Sequence, residues 1–204
     1  MKVNNHEQGS QEWLESRLGV VTASCFDKIL SPTGKKSTQV NDYVNKLVSQ
    51  VLIGEVEETF KSDAMQRGND LEPEAKDMYQ LITGNEVLET GLITHDDYGY
   101  GCSPDGVIYE NGEIVGGLEI KCPSPANHVG YLRANKIPTK YIPQVQGCML
   151  VTNASWWDFM SYNEYIEPLI VRVERDEEYI KLLEEQLIKA CDTIQDLVKQ
   201  LKEK

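Results

Sequence analysis

Hydrophobic residues recur along this chain with two different periods. Intervals of three and four residues predict helices, whereas alternation with polar residues predicts strands. On this pattern we expect helices at residues 11–18, 25–30, 41–53, 73–81, 127–135, 141–150 and about 176–204, and strands at residues 87–94, 98–102, 107–109, 114–120, 155–162 and 169–173. Residues 1–9 lack such a pattern and are expected to form a loose end.

Local signals indicate where some of these helices begin and which surface they bury. Ser10 is a good N-cap for the first helix, and Pro73 at a first helical position would fix the start of another. The C-terminal helix either packs against the domain, which is the simpler interpretation, or contacts another subunit. Its apolar residues alternate three and four apart, as in a coiled-coil seam: Ile180, Leu183, Leu187, Ala190, Ile194, Leu197 and Leu201.

The strands at residues 107–109 and 114–120 are predicted to form a hairpin. Asn111-Gly112 lies between them, and this pair favours a tight turn because both turn residues must adopt positive φ. Side chains alternate along a strand, so Glu119 and Lys121 share one face while their apolar neighbours point into a core. The hairpin therefore presents an acid and an amine side by side.

The position of Asp105 depends on the register of this hairpin. A regular ladder from a two-residue turn would place Asp105 opposite Leu118, and therefore on the wrong face. One extra residue in the second strand would correct this. Gly116-Gly117 is the natural place, because glycine in a strand often marks a bulge. We therefore predict a β-bulge there that turns Asp105 to the face of Glu119.

Two carboxylates and an amine in this arrangement suit metal-dependent chemistry at phosphorus. Asp105 and Glu119 could hold Mg²⁺ and leave waters in its coordination shell for a substrate phosphate. Lys121 could position or deprotonate an attacking water and stabilise charge that builds on phosphorus. The simpler alternative is an ordinary surface hairpin with a salt bridge, because Glu-x-Lys alone is common.

Composition limits the class of protein and raises a question about its partner. The chain has 204 residues, of which 40% are hydrophobic and 26% charged, so a single α/β domain over residues 1–204 is expected. Its formal net charge is −13, from 20 Lys and Arg against 33 Asp and Glu. Because DNA affinity comes mostly from neutralising phosphates, this charge argues mildly against a DNA partner unless the cations are confined to a channel.

Cysteine, histidine and hydropathy patterns exclude several other classes. The five cysteines are scattered and form no C-x-x-C pair, which favours free thiols in a reducing cytoplasm over disulfides or a zinc site. The three histidines show no metal-ligand spacing and are interpreted as surface or packed residues. No apolar run is long enough to span a bilayer and no signal-peptide pattern is present, so no membrane partner is expected.

Several separated motifs lie in a fixed order along most of the chain. They are Trp-(x)n-Arg-Leu-Gly-(x)2-Thr-Ala-Ser, Arg-Gly-(x)3-Glu-(x)2-Ala, Ser-Pro-Asp-Gly, Leu-Glu-Ile-Lys-Cys-Pro and Tyr-(x)2-Gln-Val-Gln, between Trp13 and Gln146. Together they resemble the PD-(D/E)xK nucleases and, more narrowly, the lambda exonuclease and YqaJ-type viral recombinase family. The resemblance implies an α/β fold with a mixed sheet flanked by helices and a restriction-endonuclease-like core.

The resemblance also implies roles for individual residues around the metal. It assigns Asp105 and Glu119 to metal binding, with the Ile120 carbonyl as a further ligand and Glu72 as a supporting acid. Lys121 would orient or deprotonate the attacking water.

A second group of residues is assigned to DNA by the same resemblance. Arg17, Ser24 and Ser103 would hold a 5′-phosphate, which suits a guanidinium and a serine at a helix start. Gln144 and Tyr141 would face the site. Gln146 is two residues from Gln144 and cannot share its helix face. The loop that carries Lys35 and Lys36 either follows a DNA backbone or is a solvated linker.

The function implied is a Mg²⁺-dependent exonuclease, with Mn²⁺ able to replace Mg²⁺. It would degrade double-stranded DNA ends 5′→3′ and leave a 3′ single strand for recombination. Family resemblance further implies a ring-shaped homotrimer, a single-strand annealing partner and a phage or prophage origin, hence a bacterial host cytoplasm. Two alternatives stay open: a structure- or site-specific endonuclease of the same superfamily, and a catalytically silent protein that binds DNA ends.

Overall fold

The computed structural model describes residues 1–6, 9–56 and 63–203. Its helices are α1 (Gln11–Ser16), α2 (Val40–Ile53), α3 (Asp63–Thr83), α4 (Pro125–Ala134), α5 (Ile142–Thr152) and α6 (Glu177–Lys202), with short 3₁₀ helices at Ala23–Lys28 and Thr139–Tyr141. Its strands are β1 (Lys2–Asn4), β2 (Val21–Thr22), β3 (Leu92–Thr94), β4 (Tyr100–Cys102), β5 (Gly106–Glu110), β6 (Glu113–Lys121), β7 (Trp156–Asn163) and β8 (Ile166–Glu174).

The described strands form two four-stranded mixed sheets. In the first sheet the order is β1-β3-β4-β2, and only β2 and β4 run parallel. In the second sheet the order is β5-β6-β7-β8, with β6 and β7 parallel and the outer pairs antiparallel. The parallel step from β6 to β7 requires a crossover, which α4 and α5 supply. The predicted α/β class is confirmed, with two mixed sheets instead of one.

Hydrophobic clusters cover both faces of the second sheet. On one face, Leu118 and Ile120 of β6 pack with Leu71, Ala75 and Tyr79 of α3. On the other face, residues of β5, β6 and β7 belong to a cluster that also contains buried residues of α2, α5 and α6. Side chains alternate along β6, so Glu119 points away from α3 and toward α5.

A β-bulge corrects the register of the hairpin, as predicted. Ile108 lies opposite Gly116 and Tyr109 opposite Ile114, so Val115 is the extra residue of β6. The bulge therefore lies one position before the predicted glycines. With the shifted register Gly106 is opposite Leu118, and Asp105 comes to the level of Glu119.

The two glycines after the bulge make room for the neighbouring strand. Gly116 and Gly117 lie beside Trp156 and Trp157 of β7. A Cβ atom at Gly116 would come within 2.4 Å of the Trp156 ring, and one at Gly117 within 2.3 Å of the Trp157 ring. These glycines are thus required by close packing of indole rings, and the bulge itself falls on the adjacent valine.

Two predictions about element ends are wrong. Residues 2–4, expected to be loose, form β1, which pairs antiparallel with β3 and sets Val3 opposite Ile93. Pro73 lies inside α3 rather than at its first position. Proline lacks the N–H for one helical hydrogen bond. The helix nevertheless continues through it, because Leu71 and Ala75 on either side are both buried against the second sheet.

Other element boundaries differ less. Ser10 caps α1 as predicted, accepting a hydrogen bond from the Trp13 backbone N–H at 3.1 Å. The helix expected at residues 25–30 is the 3₁₀ helix Ala23–Lys28. The strand expected at residues 87–94 is reduced to β3 and a single bridge between Leu88 and Val107.

Helix α6 packs against the domain, as the simpler interpretation predicted. Its buried residues include Ile180, Leu183, Leu187 and Ile194, all in the cluster shared with α2 and α5. Near the C-terminus the last apolar residue of α6, Leu201, does not pack against this cluster and is 44% exposed. None of the helices within the described ranges has both the length and the apolar character needed to cross a bilayer.

Candidate active site

Asp105 lies directly before β5, at the open end of the hairpin. Its Oδ2 accepts a hydrogen bond from the Ile120 backbone N–H at 2.6 Å. Both backbone polar groups of a strand residue face the same neighbour, so the Ile120 carbonyl also faces the side on which Asp105 lies. This orientation agrees with the predicted place of that carbonyl beside the acids.

Glu119 is fully buried, and one of its oxygens has no partner within the described part of the chain. Its Oε1 forms an ion pair with Lys121 Nζ and accepts a hydrogen bond from Gln144 Nε2 at 2.6 Å. Its Oε2 is buried without a hydrogen-bond partner among the described residues. A buried carboxylate oxygen left unpaired is costly. Oε2 therefore marks a place for a ligand that the chain itself does not supply.

The charges in this group shift one another's protonation. Burial raises the pKa of Glu119 to about 7, with Lys121 acting to lower it and Asp105 to raise it further. Burial also raises the pKa of Asp105, against the opposing effect of Lys121. Burial lowers the pKa of Lys121, but the charges of Glu119 and Asp105 outweigh it and the net shift is upward. Lys121 is therefore an ammonium at neutral pH.

Glu72 approaches the same charges from α3. It is half-buried, and burial together with the charge of Asp105 raises its pKa to about 7. The charges of Lys76 and Lys121 act in the opposite direction. Glu72 thus lies near enough to interact with Asp105 electrostatically, although it does not line the cleft described below.

A second group of polar residues follows α1. Arg17 donates a hydrogen bond to Thr22 Oγ1 at 3.3 Å, and Thr22 Oγ1 lies 3.4 Å from Ser24 Oγ. The Arg17 guanidinium is stacked over the Trp13 ring, 4.2 Å from its centre. Ser103 Oγ is buried and has no hydrogen-bond partner within the described part of the chain. These groups are donors that a phosphate could use.

One cleft, which we call the catalytic cleft, brings both groups together. It is lined by Arg17, Thr22, Ala23, Ser24, Ser103, Asp105, Glu119, Lys121 and Gln144. Close packing holds its walls in place, because the Phe26 ring lies directly on Gly147 of α5, where a Cβ would come within 2.2 Å of it. Seven predicted residues therefore meet at one place, although they come from four separate stretches of sequence.

The remaining predicted residues lie outside this cleft. Tyr141 lines an adjoining cleft, and its ring lies 5.6 Å from Lys121 Nζ. Lys35 and Lys36 are exposed and line neither cleft, and the Lys35 carbonyl accepts a hydrogen bond from Ser31 N–H at 2.7 Å in a closed turn. Gln146 faces elsewhere, with its amide on the Glu174 carbonyl and the Asp176 N–H, so Gln144 is the glutamine that faces the acids, as predicted.

Thr22 is the residue of this cleft that sequence reasoning missed. It joins Arg17 to Ser24 through its hydroxyl. The available signal was its place in the same Thr-Ala-Ser motif as Ser24, two residues away.

Comparison with known proteins places the chain in a family. The family described as YqaJ-like viral recombinase domain matches residues 12–155, which is more than half of the chain. The chain belongs to the YqaJ-like viral recombinase family. No curated protein sequence is significantly similar to it.

Solved structures support the membership of this YqaJ-like chain. It is similar to an alkaline exonuclease, LHK-Exo from Laribacter hongkongensis, with 34% identity, 95% of this chain and 97% of that chain covered, and a TM-score of 0.85. LHK-Exo in complex with dAMP gives the same identity and coverage and a TM-score of 0.84. A phage related exonuclease from Haemophilus somnus 129PT shares the fold, at 18% identity, 89% and 96% coverage and a TM-score of 0.67. This YqaJ-like chain is thus a nuclease.

The donor set of the YqaJ-like chain fits a divalent cation. Glu119 Oε2 is buried and unpaired, and Asp105 and Glu72 carry carboxylates toward the same region. Within the described residues no three His, Cys, Asp or Glu side chains form a complete metal site by themselves. Two carboxylates, a backbone carbonyl and water are an oxygen set typical of Mg²⁺, which keeps several waters.

Metal binding at this cleft is predicted to strengthen as pH rises through about 7. The metal-free pKa of Glu119 is about 7, so a proton competes with the cation below that pH. One such proton lowers the apparent affinity about tenfold between pH 8 and pH 6. Calorimetric titration of the protein with Mn²⁺ at both pH values, at constant ionic strength, measures this. Equal affinities would contradict the assignment of Glu119 as a ligand.

Proposed function

We propose that this chain is a Mg²⁺-dependent exonuclease that degrades double-stranded DNA ends 5′→3′ and leaves 3′ single strands for recombination. The observation that carries the proposal is the catalytic cleft itself. It contains two acids and an ammonium, and next to them a separate set of side chains that can donate hydrogen bonds to a phosphate. The first set suits hydrolysis of a phosphodiester, and the second suits recognition of a terminal phosphate.

The proposed metal-side roles follow from the contacts described. Asp105 and Glu119, with the Ile120 carbonyl and Glu72 in support, would hold the cation, which supplies charge neutralisation at the scissile phosphate. Gln144 keeps Glu119 oriented through its amide. The ammonium of Lys121, held beside Glu119 by their ion pair, would position water and stabilise charge on phosphorus.

The proposed polarity follows from the second set of donors. Hydrolysis that releases the 3′-oxygen of the terminal nucleotide leaves a new 5′-phosphate on the shortened strand. Arg17, Ser24 and Ser103, which line the cleft, would bind that group at each step. The dAMP complex of the similar LHK-Exo supports a site that accepts a nucleotide.

The balance of charge supports a requirement for metal. The lining contains two cations, Arg17 and Lys121, and two acids, Asp105 and Glu119, so it has no excess of positive charge. In a chain with net charge −13, such a cleft would bind DNA more weakly without a cation than with one. A bound divalent cation would give the cleft the positive charge that a phosphodiester needs.

The decisive experiment compares matched DNA substrates. We expect linear duplexes with a 5′-phosphate to yield mononucleotides in the presence of Mg²⁺ and to stay intact with a chelator, while closed circles stay uncut. Cuts in closed circles would favour the structure- or site-specific endonuclease. Binding of ends without any digestion would favour the silent end-binding protein.

Arg17→Ala is predicted to remove discrimination between 5′-phosphate and 5′-hydroxyl ends. A charge-assisted contact to phosphate contributes about 1.5–3 kcal/mol, so the wild type should favour the phosphorylated end by about 10- to 100-fold in kcat/KM. Rates on both duplexes measure the preference. Arg133→Ala is the matched control, because Arg133 is exposed on α4 and lines neither cleft. A variant that keeps the preference would contradict the role of Arg17.

The remaining family features belong to the same proposal. They are assembly into a ring-shaped homotrimer, cooperation with a single-strand annealing protein and action in the cytoplasm of a bacterial host. Sedimentation of the purified chain tests the first of these directly. A ring would place the few cations of the cleft along one lumen and leave the acidic exterior outside.

A further inference from the structure

A second cleft adjoins the catalytic cleft and has no assigned role. It is lined by Ala23, Ser24, Asp27, Lys140, Tyr141 and Gln144. Ala23, Ser24 and Gln144 belong to both clefts, so the two form one continuous groove. A strand whose reacting phosphate lies beside Glu119 would therefore meet Lys140 and Asp27 at a neighbouring position.

The aromatic ring in this second cleft is already packed. The Tyr141 ring stacks on Phe159, with 5.2 Å between ring centres. Lys140 Nζ lies over the Tyr141 ring at 4.7 Å and Lys121 Nζ at 5.6 Å. These neighbours leave little of the ring for stacking on a base. The cleft is therefore better suited to the backbone of a strand than to a nucleobase.

Lys140 is placed to bind an anion. Its side chain is exposed, and none of the ion pairs found among the described residues involves it. Hydrogen bonding to Tyr141 raises the pKa of Lys140 and keeps it charged, and Tyr131 adds to this effect. Its position over the Tyr141 ring also restricts a side chain that would otherwise be flexible. A held ammonium without a carboxylate partner is a natural phosphate donor.

We propose that Lys140 binds a backbone phosphate of the substrate strand next to the scissile one, and that Asp27 opposes this binding from the same cleft. This inference rests on the proposed function, because it takes the substrate to be a DNA strand in the catalytic cleft. The opposing acid limits how tightly each phosphate is held, which suits an enzyme whose substrate strand must advance by one nucleotide after each cleavage.

The test measures binding without turnover. Fluorescence anisotropy of a 5′-phosphorylated duplex, with a chelator present, gives Kd over a series of salt concentrations. We expect Lys140→Ala to weaken binding about fivefold at moderate salt and to make the slope of log K against log salt shallower by about 0.9, the value for one phosphate contact. Asp27→Asn should tighten binding by about two- to fivefold, because it removes a like charge.

Lys136→Ala is the matched control. Lys136 is exposed, lies four residues before Lys140 and lines neither cleft, so its variant should match the wild type. The inference would be overturned if Lys140→Ala had the same Kd and the same salt slope as Lys136→Ala. It would also be overturned if Asp27→Asn bound the duplex more weakly than the wild type. A wild type that binds duplex but digests nothing with Mg²⁺ would instead count against the proposed function, while the binding comparison would still decide the role of Lys140.

Discussion

Lys121→Ala is expected to lower kcat on linear duplex DNA by about 1,000-fold or more while duplex Kd changes by less than about fivefold. Removing one donor aimed at developing charge costs about 100- to 1,000-fold, and loss of water positioning adds to this. Binding should survive because Arg17, Ser24 and Ser103 remain in the cleft. Single-turnover digestion and anisotropy measure the two quantities separately.

Two further variants make this result specific. Lys121→Met keeps the length of the side chain, so an equal loss with an unchanged thermal melt would show that the ammonium, not packing, is required. Lys136→Ala removes an exposed lysine that lies outside both clefts, and it should stay within about threefold of wild type. Full activity of Lys121→Met would refute the role of the ammonium.

Glu119→Gln is expected to abolish digestion and also the stabilisation of the fold by divalent cations. A glutamine keeps the shape and an acceptor for Gln144, so the fold should be retained. It cannot supply the second anionic oxygen that is buried and unpaired in the wild type. A ligand that binds only the folded state raises stability by about 2.7 kcal/mol at a concentration 100 times its Kd. We expect the Mg²⁺-induced rise in Tm to vanish.

The same variant should change how stability depends on pH. In the metal-free protein the folded-state pKa of Glu119 is about 7 and the ordinary pKa of a glutamate is 4.5, so wild-type stability falls as pH rises through that interval. Glu119→Gln removes this contribution. Unchanged Tm shifts with Mg²⁺ in Glu119→Gln would show that the cation binds elsewhere.

The sequence was sufficient to predict the geometry of the hairpin. Alternation along β6 places Glu119 and Lys121 on one face from local geometry alone, and the need to turn Asp105 to that face predicts the bulge. The position of the bulge was wrong by one residue. Gly116 and Gly117 suggested a bulge, but they are required by the indole rings of β7, which lie about 40 residues later in the chain.

Structural features that depend on contacts between distant parts of the chain could not be predicted from local sequence patterns. The pairing of β1 depends on β3, about 90 residues away, and three residues carry too little pattern to reveal it. The continuation of α3 through Pro73 depends on burial of Leu71 and Ala75 against β6, which outweighs a local rule about proline. The second cleft also arises only when the segment around Ser24 meets the start of α5.

Because Val115 is an extra residue in β6, the face on which Asp105 lies depends on whether the hairpin has an odd or an even number of residues. Removing that residue, or adding one more on either arm, would rotate Asp105 to the face of α3 while every catalytic side chain stayed in the sequence. Homologous hairpins can therefore lengthen or shorten only by an even number of positions if they are to stay active. Insertion or deletion of an odd number of residues in the hairpin would therefore inactivate the enzyme while all of its sequence motifs remained intact.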